Sequence, residues 1–82
     1  MKIIYSQKAQ KNLRKIPKNK QVKILKQIES LEKYPFSGKK LKGIFVTLLS
    51  LKIWPYRTIY QVIKKNKILL IVTIEHRQKS YK

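Results

Sequence analysis

Tyr56-Arg57-Thr58-Ile59-Tyr60-Gln61-Val62-Ile63, then Lys64-Lys65-Asn66-Lys67, then Ile68-Leu69-Leu70-Ile71-Val72-Thr73-Ile74-Glu75 is the stretch that decides the fold. Two runs rich in β-branched and aromatic residues flank four polar ones, the pattern of two strands joined by a short turn. The second run is almost continuously apolar, as expected for a strand buried on both faces or central in its sheet. Immediately upstream, Ile44 to Ile53 forms a third such run, separated from Tyr56 by Trp54-Pro55. Connections this short favour an antiparallel meander.

Further toward the N-terminus the period changes. Lys39-Lys40-Leu41-Lys42-Gly43 reads as a basic loop, and Tyr34-Pro35-Phe36-Ser37-Gly38 as the end of a helix. In that helix Val22, Leu25, Ile28 and Leu31 mark an apolar face that Ile24 widens, and Pro17 opens it. A shorter amphipathic stretch precedes it, with Ala9, Leu13 and Ile16 on one face and Ser6 as its N-cap. Lys2 to Tyr5 is a first short strand. The order is β-α-α-β-β-β over a single domain, residues 1–82. It predicts an α+β fold in which a helical hairpin packs on one face of an antiparallel sheet and leaves the other face and its rim for function. The lysines at 18, 20, 23, 26 and 33 mostly fall off the apolar stripe, which suits a solvated helix face as well as a binding surface.

Composition narrows the partners. The 82 residues carry a formal charge of +18, with Glu29, Glu32 and Glu75 the only acids. A charge of that size points to a polyanion, nucleic acid first, with an acidic protein as a second and compatible partner. There is no cysteine, so packing without disulfides or thiolate metal sites must hold the fold. No segment approaches the roughly 18–20 apolar residues of a membrane span, and the N-terminus reads as a strand rather than a leader. The expectation is a cytoplasmic protein with no membrane partner.

Counting residues also excludes whole reaction schemes. Three Glu, no Asp and one His cannot supply the clustered carboxylates of two-metal phosphodiester chemistry or a Ser-His-Asp triad. Gly38 and Gly43 alone make neither a P-loop nor a dinucleotide motif. Catalysis without metal or cofactor, on Lys, Arg, Tyr and His, remains. This fits RNA cleavage, where the ribose 2′-hydroxyl is already a nucleophile beside the scissile phosphate and needs orientation, proton transfer and charge neutralisation. Arg57 and Arg77 stand out in a chain that uses Lys eighteen times and Arg three times. Their guanidinium forks suit phosphate oxygens, the plainer reading being ordinary surface arginine.

Leu41-Lys42-Gly43, then Leu48 through Tyr60, then Ile74-Glu75-His76-Arg77-Gln78-Lys79-Ser80-Tyr81 resembles the C-terminal half of RelE/ParE-superfamily toxins. The β-α-α-β-β-β order extends the resemblance to essentially the whole chain. It implies a RelE-like toxin of a type II toxin-antitoxin system, either a metal-independent endoribonuclease that cuts mRNA on the ribosome or a DNA gyrase inhibitor. A degenerate member that only binds RNA or its antitoxin is a further possibility. Carried over by position, it implies Lys52 and Arg57 as phosphate-facing cations, Arg77 as a transition-state stabiliser, and His76 and Tyr81 in proton transfer or base stacking. Lys39, Lys40 and Lys42 are the RNA contacts that go with this reading, joined by Trp54 if it stacks on a base rather than capping the core, and mRNA, the ribosome and an acidic antitoxin are its partners. Tyr56 and Tyr60 are expected to pack the sheet, and His76 could equally just end a strand. Two positions depart from the family pattern: Ser50 stands where a basic residue is frequent, and Trp54-Pro55 replaces a Gly-Asp-like turn. Retention of Lys52, Arg57, Arg77 and Tyr81 favours the nuclease.

Overall fold

A computed structural model describes residues 1–42 and 47–77, the side chain of Lys42 excepted. The chain runs β1 (Lys2–Tyr5), α1 (Gln7–Arg14), α2 (Lys18–Ser30), β2 (Lys39–Lys42), β3 (Thr47–Ile53), β4 (Tyr56–Ile63), a 3₁₀ turn (Lys64–Asn66) and β5 (Ile68–His76). The five strands form one sheet in the order β1-β5-β4-β3-β2. β3, β4 and β5 pair antiparallel as the expected meander, β2 adds antiparallel to β3, and β1 departs from the expected antiparallel sheet by lying parallel to β5 at the edge. A parallel partner is open to β1 because both helices and three strands separate it from β5, ample length for a crossover.

The basic segment 39–42 is a strand rather than a loop, pairing Lys39 with Ser50 and Lys40 with Leu49. Its lysines hid it, since they lower β-propensity; yet charge is what an exposed edge strand tolerates best. The predicted strand from Ile44 is described from Thr47 onward, its first residues lying outside the described ones.

Helix α1 begins where the N-cap was expected. Ser6 Oγ accepts a hydrogen bond from the Ala9 N–H at 2.9 Å. The same hydroxyl donates to the Val72 carbonyl at 2.6 Å, tying the helix start to β5. Gln21 Nε2 donates to the Leu13 carbonyl at 2.7 Å and so binds α2 to the end of α1. The face of α2 that enters the core is Ile24, Ile28 and Leu31, whereas the expected Val22 is 46% exposed. These three positions follow the helical spacing of four and three, and Val22 falls outside that stripe.

The helices cover one sheet face, where Leu49, Tyr60, Val62, Leu69 and Ile71 join Ala9, Ile24, Ile28 and Leu31 in the core. In β5 the register slips: Ile59 faces Thr73 but Tyr60 faces Ile71, leaving Val72 as an extra residue. Helix α1 takes up the polar groups around this bulge. Besides the Ser6 contact, Asn12 Oδ1 accepts from the Ile74 N–H at 3.1 Å and from Thr73 Oγ1 at 3.0 Å. No helix among the described residues is long and apolar enough to cross a membrane.

Candidate active site

Residues directly opposite in a ladder share a face, so register alone places the charged side chains. Lys52 pairs with Arg57, and Arg57 pairs with Glu75, forming one transverse row across β3, β4 and β5. Thr58 and Tyr60 point into the helix-covered core, so their neighbour Arg57, and with it the row, lies on the open face.

A pocket of ≈ 120 Å³ opens beside this row, lined by Lys52, Trp54, Pro55, Tyr56, Arg57 and Arg77. Three cations predicted from separate parts of the chain therefore meet in one place. The β3–β4 turn makes this possible by returning the chain after only two residues, and it also docks the end of β5. The Arg77 N–H donates to the Pro55 carbonyl at 2.8 Å, and the Arg77 guanidinium lies over the Trp54 ring with Cζ 4.9 Å from its centroid.

Glu75 is the one acid in the row, since Glu29 lies in α2 and Glu32 just beyond it. Set against three cations, it leaves the field at the pocket positive, which favours an anionic group there. The pocket's chemical capacity is to hold such a group and to neutralise charge that develops on it.

The remaining predicted residues are placed differently. His76 pairs with Tyr56 and packs edge-on against its ring, centroids 5.3 Å apart, without lining the pocket itself. Tyr56, expected only to pack, does both: it leans on the core and lines the pocket. Its place at the start of β4, next to Arg57, was the available signal. Tyr60 is fully buried, as expected of a packing residue. Its pKa is raised by burial, and hydrogen bonding from Gly38 partly offsets the rise. Tyr81 lies outside the described residues, so its relation to the pocket does not enter the geometry.

The three predicted loop lysines divide. Lys39, opposite Ser50, shares the open face with Lys52 and Arg57, whereas Lys40, opposite Leu49, is on the helix side. Lys42 belongs to β2, its side chain lying outside the described part. Ser50, where the resemblance would place a cation, is 4% exposed, and Lys39 is its cross-strand neighbour.

Comparison with known proteins gives one family and a set of structures. Residues 3–81 match the family model described as the ParE toxin of the type II toxin-antitoxin system parDE. A search among curated proteins gives no match. The RelE chain of the archaeal RelE–RelB complex from Pyrococcus horikoshii OT3 is similar at 27% identity and a TM-score of 0.82, over 93% of both chains. The isolated E. coli RelE toxin aligns at 20% identity and TM-score 0.79 over 92% of this chain and 82% of its own. A chain of the chromosomal ParDE system of P. aeruginosa aligns at 22% identity and TM-score 0.64, over 93% of this chain and 95% of its own. With its sequence matched from residue 3 to residue 81 and its fold that of the RelE structures, the chain belongs to the ParE toxin family of type II toxin-antitoxin systems, within the RelE/ParE superfamily.

Proposed function

We propose that this toxin is a metal-independent endoribonuclease that cleaves mRNA presented by the ribosome. The observation that carries the reading is the convergence of Lys52, Arg57 and Arg77 on one pocket at the rim of the open sheet face. In this scheme the scissile phosphate sits among the three cations, and the ribose 2′-oxygen attacks phosphorus as the bond to the 5′-oxygen breaks. Charge on the phosphorane is neutralised by groups already in place. The proton leaving the 2′-hydroxyl and the proton reaching the 5′-oxygen are assigned to Tyr81 and His76. His76 packs edge-on against Tyr56, which lines the pocket, so its part in proton transfer requires that its imidazole reach the reacting oxygen directly or through one water. Lys39, on the same face, extends the cationic track along the RNA backbone, and Trp54 offers an aromatic surface beside it.

A second reading, a toxin that inhibits DNA gyrase without chemistry, is favoured by the match to the ParE family model. The same basic pocket would then be a docking feature. Both readings include an acidic antitoxin that covers the basic face, in keeping with structural neighbours solved as RelB–RelE complexes. The deciding experiment is single-turnover cleavage of mRNA on programmed ribosomes, with EDTA at a level that leaves the ribosomes intact, beside a gyrase supercoiling assay. Cleavage that persists in EDTA with gyrase unaffected supports the nuclease. Inhibited supercoiling without cleavage replaces it with the second reading.

A further inference from the structure

The Trp54–Pro55 turn holds Arg77 by two different contacts. One fixes its backbone, through the 2.8 Å hydrogen bond from the Arg77 N–H to the Pro55 carbonyl. The other engages its side chain, through a cation–π contact that sets the guanidinium Cζ 4.9 Å from the centroid of the indole. Arg77 needs such support more than Lys52 or Arg57 does. Those two lie within paired strands, whereas the β4–β5 ladder ends at Tyr56 and His76, one residue before it. An exposed arginine beyond the end of a strand samples many rotamers unless something orders it.

We propose that Trp54 is a positioning residue that orders the Arg77 guanidinium beside Lys52 and Arg57, so that an incoming phosphodiester meets a preformed set of cations. The consequence for cleavage rests on the nuclease reading above; the placement of Arg77 does not. The chemistry of the contact suits the role. An indole attracts a cation through the negative face of its ring, and among aromatic side chains it does so best. A guanidinium held over an indole keeps its full charge, which is what a phosphodiester needs from it. Holding the group and using it are therefore compatible. The indole is 65% exposed, so it contributes little to the core, and replacing it tests the site without unfolding the chain.

Two readouts separate this role from a direct contact between Trp54 and a nucleobase. The first needs no activity: in Trp54→Leu the Arg77 Nε–H proton resonance moves downfield as the ring current is lost, and in Trp54→Tyr most of the shift is kept. The second is a double-mutant cycle on ribosome-dependent cleavage. Trp54→Leu is expected to lower kcat roughly 10-fold with KM nearly unchanged, Trp54→Tyr to recover most of the loss, and Trp54→Leu to cost almost nothing more in an Arg77→Ala background. An Arg77 resonance that stays in place, or a Trp54→Leu loss that persists in full without Arg77, overturns the proposal. Should the wild-type protein cleave nothing, the nuclease reading falls, and the Arg77 resonance alone decides whether Trp54 sets its position.

Discussion

Arg57 and Arg77 carry the same charge but are held differently. Arg57 is half-buried in β4 between Lys52 and Glu75, while Arg77 is exposed and follows the last residue of β5. If both face one phosphate, the shape of the guanidinium should count beyond its charge. Alanine removes charge and fork together, whereas lysine keeps the charge alone. Arg77→Ala is expected to lower single-turnover cleavage at least ~10²-fold, the scale of losing one transition-state donor, and Arg77→Lys to recover only part. Arg57 should follow the same pattern, and full activity in both alanine variants would remove these arginines from the site. Part of this site was legible in the sequence. A scarce residue type used twice in the β half of a lysine-rich chain marked both arginines. What the sequence could not give was the face each side chain takes. Lys39 and Lys40 look alike in sequence, yet pairing with Ser50 and Leu49 sends them to opposite sides of the sheet. Tyr56 was similarly hidden, because a residue at the end of a strand can reach the core and the rim at once.

At the scale of elements, the meander, the helical hairpin and the Ser6 cap were legible because each rests on local pattern: strand alternation, helical spacing, a capping hydroxyl. The parallel pairing of β1 with β5, the strand character of 39–42 and the bulge at Val72 were not. They depend on partners about 10 to 70 residues away along the chain, which no local period encodes. The segment between α2 and β2 shows how such a distant partner works. Tyr60 Oη accepts from the Gly38 N–H at 3.0 Å and donates to the Pro35 carbonyl at 2.9 Å, so one buried phenol holds the turn that delivers β2 to the sheet edge. Gly38 is required there by close approach: a Cβ would stand 2.6 Å from Tyr60 Oη and 2.7 Å from the Ser50 carbonyl oxygen. Gly38→Ala is expected to cost about 1–3 kcal/mol through overpacking. Tyr60→Phe should cost a similar ~1–3 kcal/mol by leaving two backbone groups unpaired, and chemical denaturation checks both. The sign of the pH effect follows from burial, which raises the Tyr60 pKa in the folded state. The fold thus binds this proton more tightly than the unfolded chain does. Its contribution is complete below the unfolded value of about 10 and is lost as pH rises through the folded value. Tyr60→Phe should flatten that alkaline loss, and an unchanged slope would show that Tyr60 does not contribute to it.

For the molecule as a whole, a formal charge of +18 on 82 residues acts in opposite directions on folding and on binding. In the free protein the like charges repel one another, and added salt screens them, with a Debye length of about 10 Å at 0.1 M and about 3 Å at 1 M. Against a nucleic acid the same charges release condensed counterions, and salt opposes that release. Raising sodium chloride from 0.05 to 0.5 M should therefore raise the melting temperature of the free toxin while weakening its binding to RNA or ribosomes. A protein that merely precipitates with salt would not show this pair of opposite responses. The slope of log affinity against log salt also tests the placement of individual lysines, since each phosphate contact on single-stranded RNA contributes about 0.7 to it. Lys39 shares the face of Lys52 and Arg57, and Lys40 does not. Lys39→Ala should therefore flatten the slope by close to one contact and Lys40→Ala by markedly less, although the two remove the same charge from adjacent positions. Equal slopes for the two variants would mean that RNA senses only the net charge of this protein, and the open sheet face would lose its standing as the surface that meets the polyanion.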